Sequence, residues 1–381
     1  MAIQVTIVGA GPAGLHLASK LSDSGISSLV IEEHAEVGVP VHCSGLISES
    51  GCHDLDLKLD GVLLNEIYGA DIISPEGTKI TVERKRPVAY VVDRELFDKN
   101  LYKKAISKDV QVDFNSKLIN FTDKNVFYQK DNHGTMVKSK IVVGADGVQS
   151  RTRELMNLNA PTHMFVHAYQ QMVSGDFDPR KVNVYLCKEA VGFFAWLIPH
   201  SKKEADLGIG VTLGNNPKSA FDSFYASKNF DFEKISETSS IIPVGHPLKH
   251  VVLSNQLLVG DAAFQTKATT GGGIIFGLRA AETAANAISE NLLNSKPLEN
   301  YEKMLSGLNK ELVMHWKIRS YINSLGREKT EKLFQKAKKA GLGEFLTSYG
   351  DMDNPTKFVG KIFRKPSMLT LFPEALKFIF S

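Results

Sequence analysis

The stretch Ile3-Gln4-Val5-Thr6-Ile7-Val8-Gly9-Ala10-Gly11-Pro12-Ala13-Gly14 decides how the rest of the chain is read. An apolar run ending in three closely spaced glycines predicts a strand that turns straight into a helix. Gly9 allows the tight turn, Gly11 lets the backbone approach a pyrophosphate, and Gly14 lets the helix pack on the strand. The unpaired amides and the dipole at the start of that helix favour a phosphate. Roughly 20 residues further on, a second apolar run, Ser28 to Ile31, ends in Glu32-Glu33, where an acid binds a ribose hydroxyl. Glu32 is preferred, because Glu33 alternates to the other face of the strand. An acid there also repels the 2′-phosphate of NADP.

Two more glycine segments follow in order. Lys140-Ile141-Val142-Val143 runs into Gly144-Ala145-Asp146-Gly147. Leu257-Leu258-Val259 runs into Gly260-Asp261-Ala262-Ala263, with Gly271-Gly272-Gly273 after it. Each is a strand-to-turn junction, and the three together point to flavin adenine dinucleotide (FAD).

At 381 residues the chain exceeds one ordinary core, so two intertwined domains are expected. The net charge of +3 makes no case for nucleic acid as a partner. From Asn354 to the end, Lys357, Lys361, Arg364, Lys365 and Lys377 face only Glu374, so the basic excess sits at the C-terminus. Cys43, Cys52 and Cys187 read as reduced thiols of a reducing compartment, Cys52 and Cys187 inert, with no metal spacing. The chain enters its first strand at once and holds no apolar run of bilayer length. The expectation is a cytoplasmic protein, or one peripheral on the inner face of the cell membrane.

Along the chain, Asp93 is a helix N-cap for a helix to about Lys108, and Lys117 to Val137 form a small meander. Tyr68 to Ile73, Lys79 to Val82, Phe165 to Met172, Val182 to Leu186, Phe193 to Ile198 and Leu207 to Thr212 read as strands of one sheet. The predicted class is α/β (α+β overall): a Rossmann-like FAD-binding domain with an inserted, mostly antiparallel substrate sheet and a helical C-terminus. The expected boundaries are 1–66, 93–162 and 251–298 for the FAD-binding domain, 67–92 and 163–250 for the sheet, and 299–381 for the helical region.

This order of motifs resembles the para-hydroxybenzoate hydroxylase-like flavoproteins, and within them the geranylgeranyl reductases, including the archaeal digeranylgeranylglycerophospholipid reductases. The superfamily resemblance covers about residues 1–295. It implies FAD contacts from Gly9, Gly11, Pro12, Ala13, Gly14, Glu32, Glu33, Arg94, Ala145, Asp146, Gly147, Asp261, Gly272, Gly273 and Ile274, with Ser150 and Arg153 holding the second motif together. Gly38-Val39-Pro40-Val41-His42-Cys43-Ser44-Gly45 resembles the reductases' loop beside the isoalloxazine, so Cys43, Ser44 and Gly45 join the flavin contacts. Phe194-Ala195-Trp196-Leu197-Ile198-Pro199 resembles their substrate-side motif, with Phe194 for a tyrosine and Ile198 for a phenylalanine. Phe194, Trp196 and Pro199 are the expected substrate contacts. Ala268 stands where many superfamily members carry proline, and Phe264 where histidine is common, a departure that leans toward a reductase over an oxygenase.

The resemblance implies an FAD-dependent reductase of geranylgeranyl double bonds, acting on archaeal membrane phospholipids. An FAD-dependent monooxygenase and a non-catalytic flavin- or lipid-binding protein are the alternatives. Cys43 is the candidate catalytic residue, near the path of a proton; His42 and His246 read as structural. The electron donor is NAD(P)H or a ferredoxin-like protein, since no second dinucleotide fingerprint is present. Lys357 to Lys365 and Met368 to Phe380 mix basic and bulky apolar residues, which suits either a membrane interface or a terminal helix docked on the core.

Overall fold

The computed structural model describes residues 3–362. The tail segment Met368 to Phe380, and the end of the basic stretch before it, lie outside the described residues.

A six-stranded sheet lies at the base of the molecule. Its order is Val252–Leu253, Gln256–Leu258, Ile141–Gly144, Val5–Val8, Ser28–Ile31 and Gln111–Asp113. All neighbours are parallel except the first pair. The central strands are buried throughout, as expected of a parallel sheet covered on both faces. Helix Pro12–Asp23 buries Leu15, Leu17 and Leu21 against it, and helix Ile274–Asn294 packs alongside through an alanine-rich face.

The register aligns the strand ends. Val8 pairs with Ile31 on one side and Gly144 on the other, and Gly144 pairs with Leu258. All three glycine motifs therefore leave the same carboxyl edge of the sheet, flanking the point where strand order reverses, where open α/β sheets bind ligands.

Above that edge lies a seven-stranded sheet, in the order Glu233–Pro243, Phe165–Ser174, Glu204–Thr212, Ala195–Pro199, Lys181–Tyr185, Gly69–Ile73 and Lys79–Glu83. It is antiparallel except where Lys181–Tyr185 pairs with Gly69–Ile73. Ala89–Val92 belongs instead to a three-stranded sheet with Leu46–Ser48 and Leu63–Ile67. The meander of Ser116–Phe121, Asn125–Lys130 and His133–Lys138 packs beside the base sheet. Asp93 caps helix Arg94–Ile106 by accepting from the Leu96 amide at 3.0 Å.

The segment of residues 300–362 is mostly helical and folds back over the seven-stranded sheet. Its main element, Ser306–Lys339, is bent at Gly326, whose φ of +67° breaks the helical run. Arg319 Nη1 donates to Val244 O at 2.9 Å, Glu331 accepts from Ser74 and Thr78, and Arg84 donates to Thr347 O at 2.7 Å. These polar anchors fasten the helices across both edges of the sheet.

Candidate active site

The first motif forms a cradle. Gly9 has φ +101°, and a Cβ there would lie 2.5 Å from Ala145 O. A Cβ on Gly14 would fall 2.1 Å from Gly9 O, so that glycine serves helix–strand packing. Gly11 differs: nothing lies within 4 Å of where its Cβ would be. It caps helix Pro12–Asp23 without any side-chain hydrogen bond, leaving the first amides unpaired and facing open space. An uncapped helix start beside a glycine with no neighbour fits a pyrophosphate.

Glu32 is turned back toward this cradle. Its Oε2 accepts from the Ala10 amide at 2.7 Å, and its Oε1 accepts from the His34 amide at 3.0 Å. Glu33, at the cavity's rim, is exposed and paired at 3.3 Å with exposed Lys117.

In the second motif, Asp146 accepts from Ser150 Oγ at 2.5 Å and from the Thr152 amide at 2.8 Å. Its carboxylate is spent on shaping its own loop, while Gly147, with φ +73°, leaves open space beyond it. Arg153 donates to Ala262 O at 3.1 Å and Val148 O at 2.7 Å, tying this loop to the third motif. Asp261 accepts from Thr266 Oγ1 at 2.9 Å, and its Oδ1 would lie 2.4 Å from a Cβ on Gly273. Burial pushes its carboxyl up, against the pull of Thr266, Arg94 and Arg153. Gly273 then opens helix Ile274–Asn294, again without a side-chain cap.

The Cys43 loop crosses the opening between the sheets. Gly45, with φ +69°, is pressed on strand Ala89–Val92: a Cβ would meet Val92 O at 2.1 Å. Cys43 Sγ accepts from the Gly45 amide at 3.4 Å and also contacts the Arg94 guanidinium. Arg94 grips Asp98 with Nη2 at 3.0 and 2.9 Å from its two oxygens. Ser44 Oγ donates to Gln170 Oε1 at 3.0 Å, and His42 Nδ1 lies 2.8 Å from Thr238 Oγ1. The loop is thus anchored to the seven-stranded sheet on one side and to helix Arg94–Ile106 on the other.

These parts surround a continuous cavity of about 1800 Å³. That exceeds the roughly 300–1,000 Å³ of a pocket for one small ligand, so a second molecule fits beside a cofactor. Gly9, Gly11, Pro12, Ala13, Glu32, Glu33, Cys43, Ser44, Arg94, Ala145, Asp146, Gly147, Asp261, Gly272, Gly273 and Ile274 all line it. So do Phe194 and Trp196, whose rings meet edge to face with centroids 5.8 Å apart. Trp196 lies flat on Gly208, where a Cβ would come within 2.4 Å of the indole. Gly14, Gly45 and Pro199 are not among the lining residues; Pro199 O accepts from Asn65 Nδ2 at 2.8 Å instead.

Sequence reasoning missed the far wall. Ile318, Tyr321, Ile322, Leu333, Phe334, Ala337, Leu342, Leu346 and Phe358 all face this cavity. The apolar residues at helical spacing between Ile318 and Ala337 were the available signal. It missed as well a buried polar knot beside the third motif. Lys267 Nζ donates to Asp353 Oδ1 at 2.7 Å, and Ser48 Oγ donates to Asp353 Oδ2 at 2.5 Å. His315 Nδ1 lies 2.7 Å from Thr269 Oγ1, and burial drops its pKa to about 4.

Residues 2–212 match the FAD binding domain family, and the fit of the cradle agrees: this is an FAD-binding flavoprotein of α/β architecture. The chain is 31% identical, over 80% of its length and 79% of the relative's, to digeranylgeranylglycerophospholipid reductase 1 of Methanococcoides burtonii. It is 29% identical to the digeranylgeranylglycerophospholipid reductase of Methanocaldococcus jannaschii, covering 98% of both chains. It belongs to this reductase family. Its fold matches a geranylgeranyl bacteriochlorophyll reductase-like protein of Thermoplasma acidophilum with a TM-score of 0.85, at 24% identity and covering 99% and 98% of the two chains. A flavin-dependent brominase shares the fold at a TM-score of 0.73 and 17% identity, covering 96% and 99%.

Proposed function

We propose that the protein saturates carbon–carbon double bonds of geranylgeranyl chains carried by an archaeal-type membrane phospholipid. The observation that carries this reading is the apolar cavity, which begins at the three glycine motifs and continues between the seven-stranded sheet and the C-terminal helices. Kinship with the digeranylgeranylglycerophospholipid reductases supports it.

An isolated trisubstituted alkene is not electrophilic, so hydride reaches one carbon only as a proton reaches the other. Bound and reduced, FAD supplies the hydride. The amides after Gly11 and the carboxylate of Glu32 hold its pyrophosphate and ribose, and Asp261, Gly272, Gly273 and Ile274 carry its flavin end. Trp196 and Phe194 orient the alkene, and the helical cover excludes water. Cys43, positioned by Arg94 and the Gly45 amide, is the candidate to move the proton at Sγ.

The electron donor is an NAD(P)H or a ferredoxin-like protein that docks transiently. Among the described residues no helix is long and apolar enough to cross a membrane. We place the protein peripherally on the membrane that carries its lipid, a reading supported by the basic residues clustered between Lys357 and Lys377 in the sequence.

Dithionite-reduced protein incubated with a geranylgeranyl glycerophospholipid tests the reading directly. Each saturated bond adds two hydrogens, read by mass spectrometry. No gain with any polyprenyl lipid sinks it, and substrate-stimulated oxygen uptake with NADPH would mark an oxygenase instead.

A further inference from the structure

One register row crosses the whole seven-stranded sheet. Thr238 pairs with Gln170, Gln170 with Gly208, Gly208 with Trp196, Trp196 with Val184, Val184 with Ile72, and Ile72 with Ile80. Every member except Gly208 lines the cavity, and Gly208 lies beneath the Trp196 indole. The row is the cavity's floor, and it is graded. Thr238 and Gln170 are polar and hydrogen-bonded to the Cys43 loop. From Trp196 onward the floor is apolar. It ends at Ile80, which packs with Phe334, Ala337 and Leu342 of the helical cover.

The spacing of strands matches the repeat of an isoprenoid. Neighbouring strands lie about 4.8 Å apart. An extended chain advances about 1.2 Å per bond, so the four main-chain carbons of one isoprene unit span roughly 5 Å. Trp196 to Ile80 is three strand steps, about 14 Å, which matches the extended length of three isoprene units.

We infer that Ile80, Phe334 and Ala337 form a chain-length stop that admits three isoprene units beyond the one at the reacting position. This rests on the geranylgeranyl reading above. A four-unit chain then slides until its headgroup-proximal double bond lies between the Cys43 loop and Trp196, its far end against the stop. A five-unit chain halts one unit short, and its headgroup-proximal bond stays unsaturated.

The test uses full-length, FAD-loaded protein, dithionite, and glycerophospholipids with farnesyl, geranylgeranyl or geranylfarnesyl chains. Product masses and fragmentation locate any residual double bond. Wild type is expected to saturate the first two fully and leave one headgroup-proximal bond in the third. Phe334→Ala lengthens the tunnel and is expected to raise full saturation of the geranylfarnesyl lipid about tenfold or more. Ala337→Phe shortens it and is expected to leave the headgroup-proximal bond of the geranylgeranyl lipid while still saturating farnesyl chains. The wild-type comparison decides even if a variant fails to fold. Full saturation of five-unit chains by wild type, or the same saturation pattern in folded variants and wild type, overturns the stop. Absence of reduction on every chain would instead overturn the parent reading.

Discussion

Lys267 Nζ lies 2.7 Å from Asp353 Oδ1, and this nearly inaccessible pair fastens the C-terminal cover to the loop that opens helix Ile274–Asn294. Ser48 occupies the other Asp353 oxygen, and Arg279 approaches it at 3.7 Å. Removing the acid leaves a buried ammonium without its counterion. Asp353→Ala is therefore expected to cost about 3–5 kcal/mol, read as a lowered denaturant midpoint. An unchanged midpoint would show that the pair is not what holds the cover down.

His315 sits beside this knot, and its stability linkage has a definite sign. Burial, with Lys267 nearby, lowers its folded pKa to about 4, below its ordinary 6.5. The unfolded chain therefore takes up the proton first, and stability present above pH 6.5 falls as pH drops toward 4. The loss is roughly 3 kcal/mol at about 1.4 kcal/mol per pH unit. His315→Gln should flatten the profile of melting temperature against pH in that window. A profile identical to wild type would assign the acid sensitivity elsewhere.

Gly11 and Gly14 separate binding from folding. A methyl at Gly14 collides with Gly9 O, so Gly14→Ala should lower both stability and flavin content. A methyl at Gly11 meets nothing in the protein, so Gly11→Ala should leave the apoprotein's melting temperature near wild type and impair FAD binding alone. Flavin absorbance of the purified variants, with melting of the apo forms, distinguishes the two. Normal flavin content in Gly11→Ala would move the pyrophosphate away from this helix.

The two adjacent acids should behave unequally. Glu32 accepts from the Ala10 amide within the cradle, whereas Glu33 is exposed with only a surface lysine for company. Glu32→Ala is expected to weaken FAD by about 1.5–3 kcal/mol, the usual value of a hydrogen bond to a charged group. Glu33→Ala should stay within about 0.5 kcal/mol. Titration of apoprotein with FAD measures both; equal losses would reverse the assignment.

Cys43→Ala gives up the Gly45 amide to Sγ contact but keeps the Ser44–Gln170 and His42–Thr238 hydrogen bonds and the seating of Gly45 on Val92 that pin its loop. It should bind FAD normally and accept electrons normally, while alkene saturation falls by about 10²–10⁴-fold, the usual range for removing a positioned acid or base. Saturation at the wild-type rate would take the thiol out of the mechanism.

Much of this arrangement was legible because it is local. Strand-glycine-helix signals at Gly9, Gly144 and Gly260 announced the base sheet, and Asp93 announced its helix. Glu233–Pro243 escaped notice because it is an edge strand, paired on one side and polar through Glu233, Lys234, Ser236, Glu237, Thr238, Ser239 and Ser240. No run of apolar residues marks such a strand. The knot around Asp353 was equally silent, since it joins residues 48, 267 and 353, and nothing in the sequence near any one of them names the others. The far wall of the cavity was hidden for a third reason. Ile318 to Ala337 carry apolar residues at a helical spacing that any half-buried helix shows, and only the sheet they cover reveals that they border a void.

The strand order of the base sheet has a consequence for how the protein is made. The fingerprint at residues 9–14 emerges first from the ribosome, yet its strand is flanked by Ile141–Gly144, which in turn needs Gln256–Leu258. Such distant pairings are slow to close and leave apolar edges waiting. The seven-stranded sheet, inserted between these partners, has been synthesised before the base sheet can be completed. Cofactor capture is then a late step of biogenesis, reached only when Gly273 has taken its place. Yellow colour in a preparation certifies more than an occupied site: it reports that segments more than 250 residues apart, at Gly9 and Gly273, have found each other.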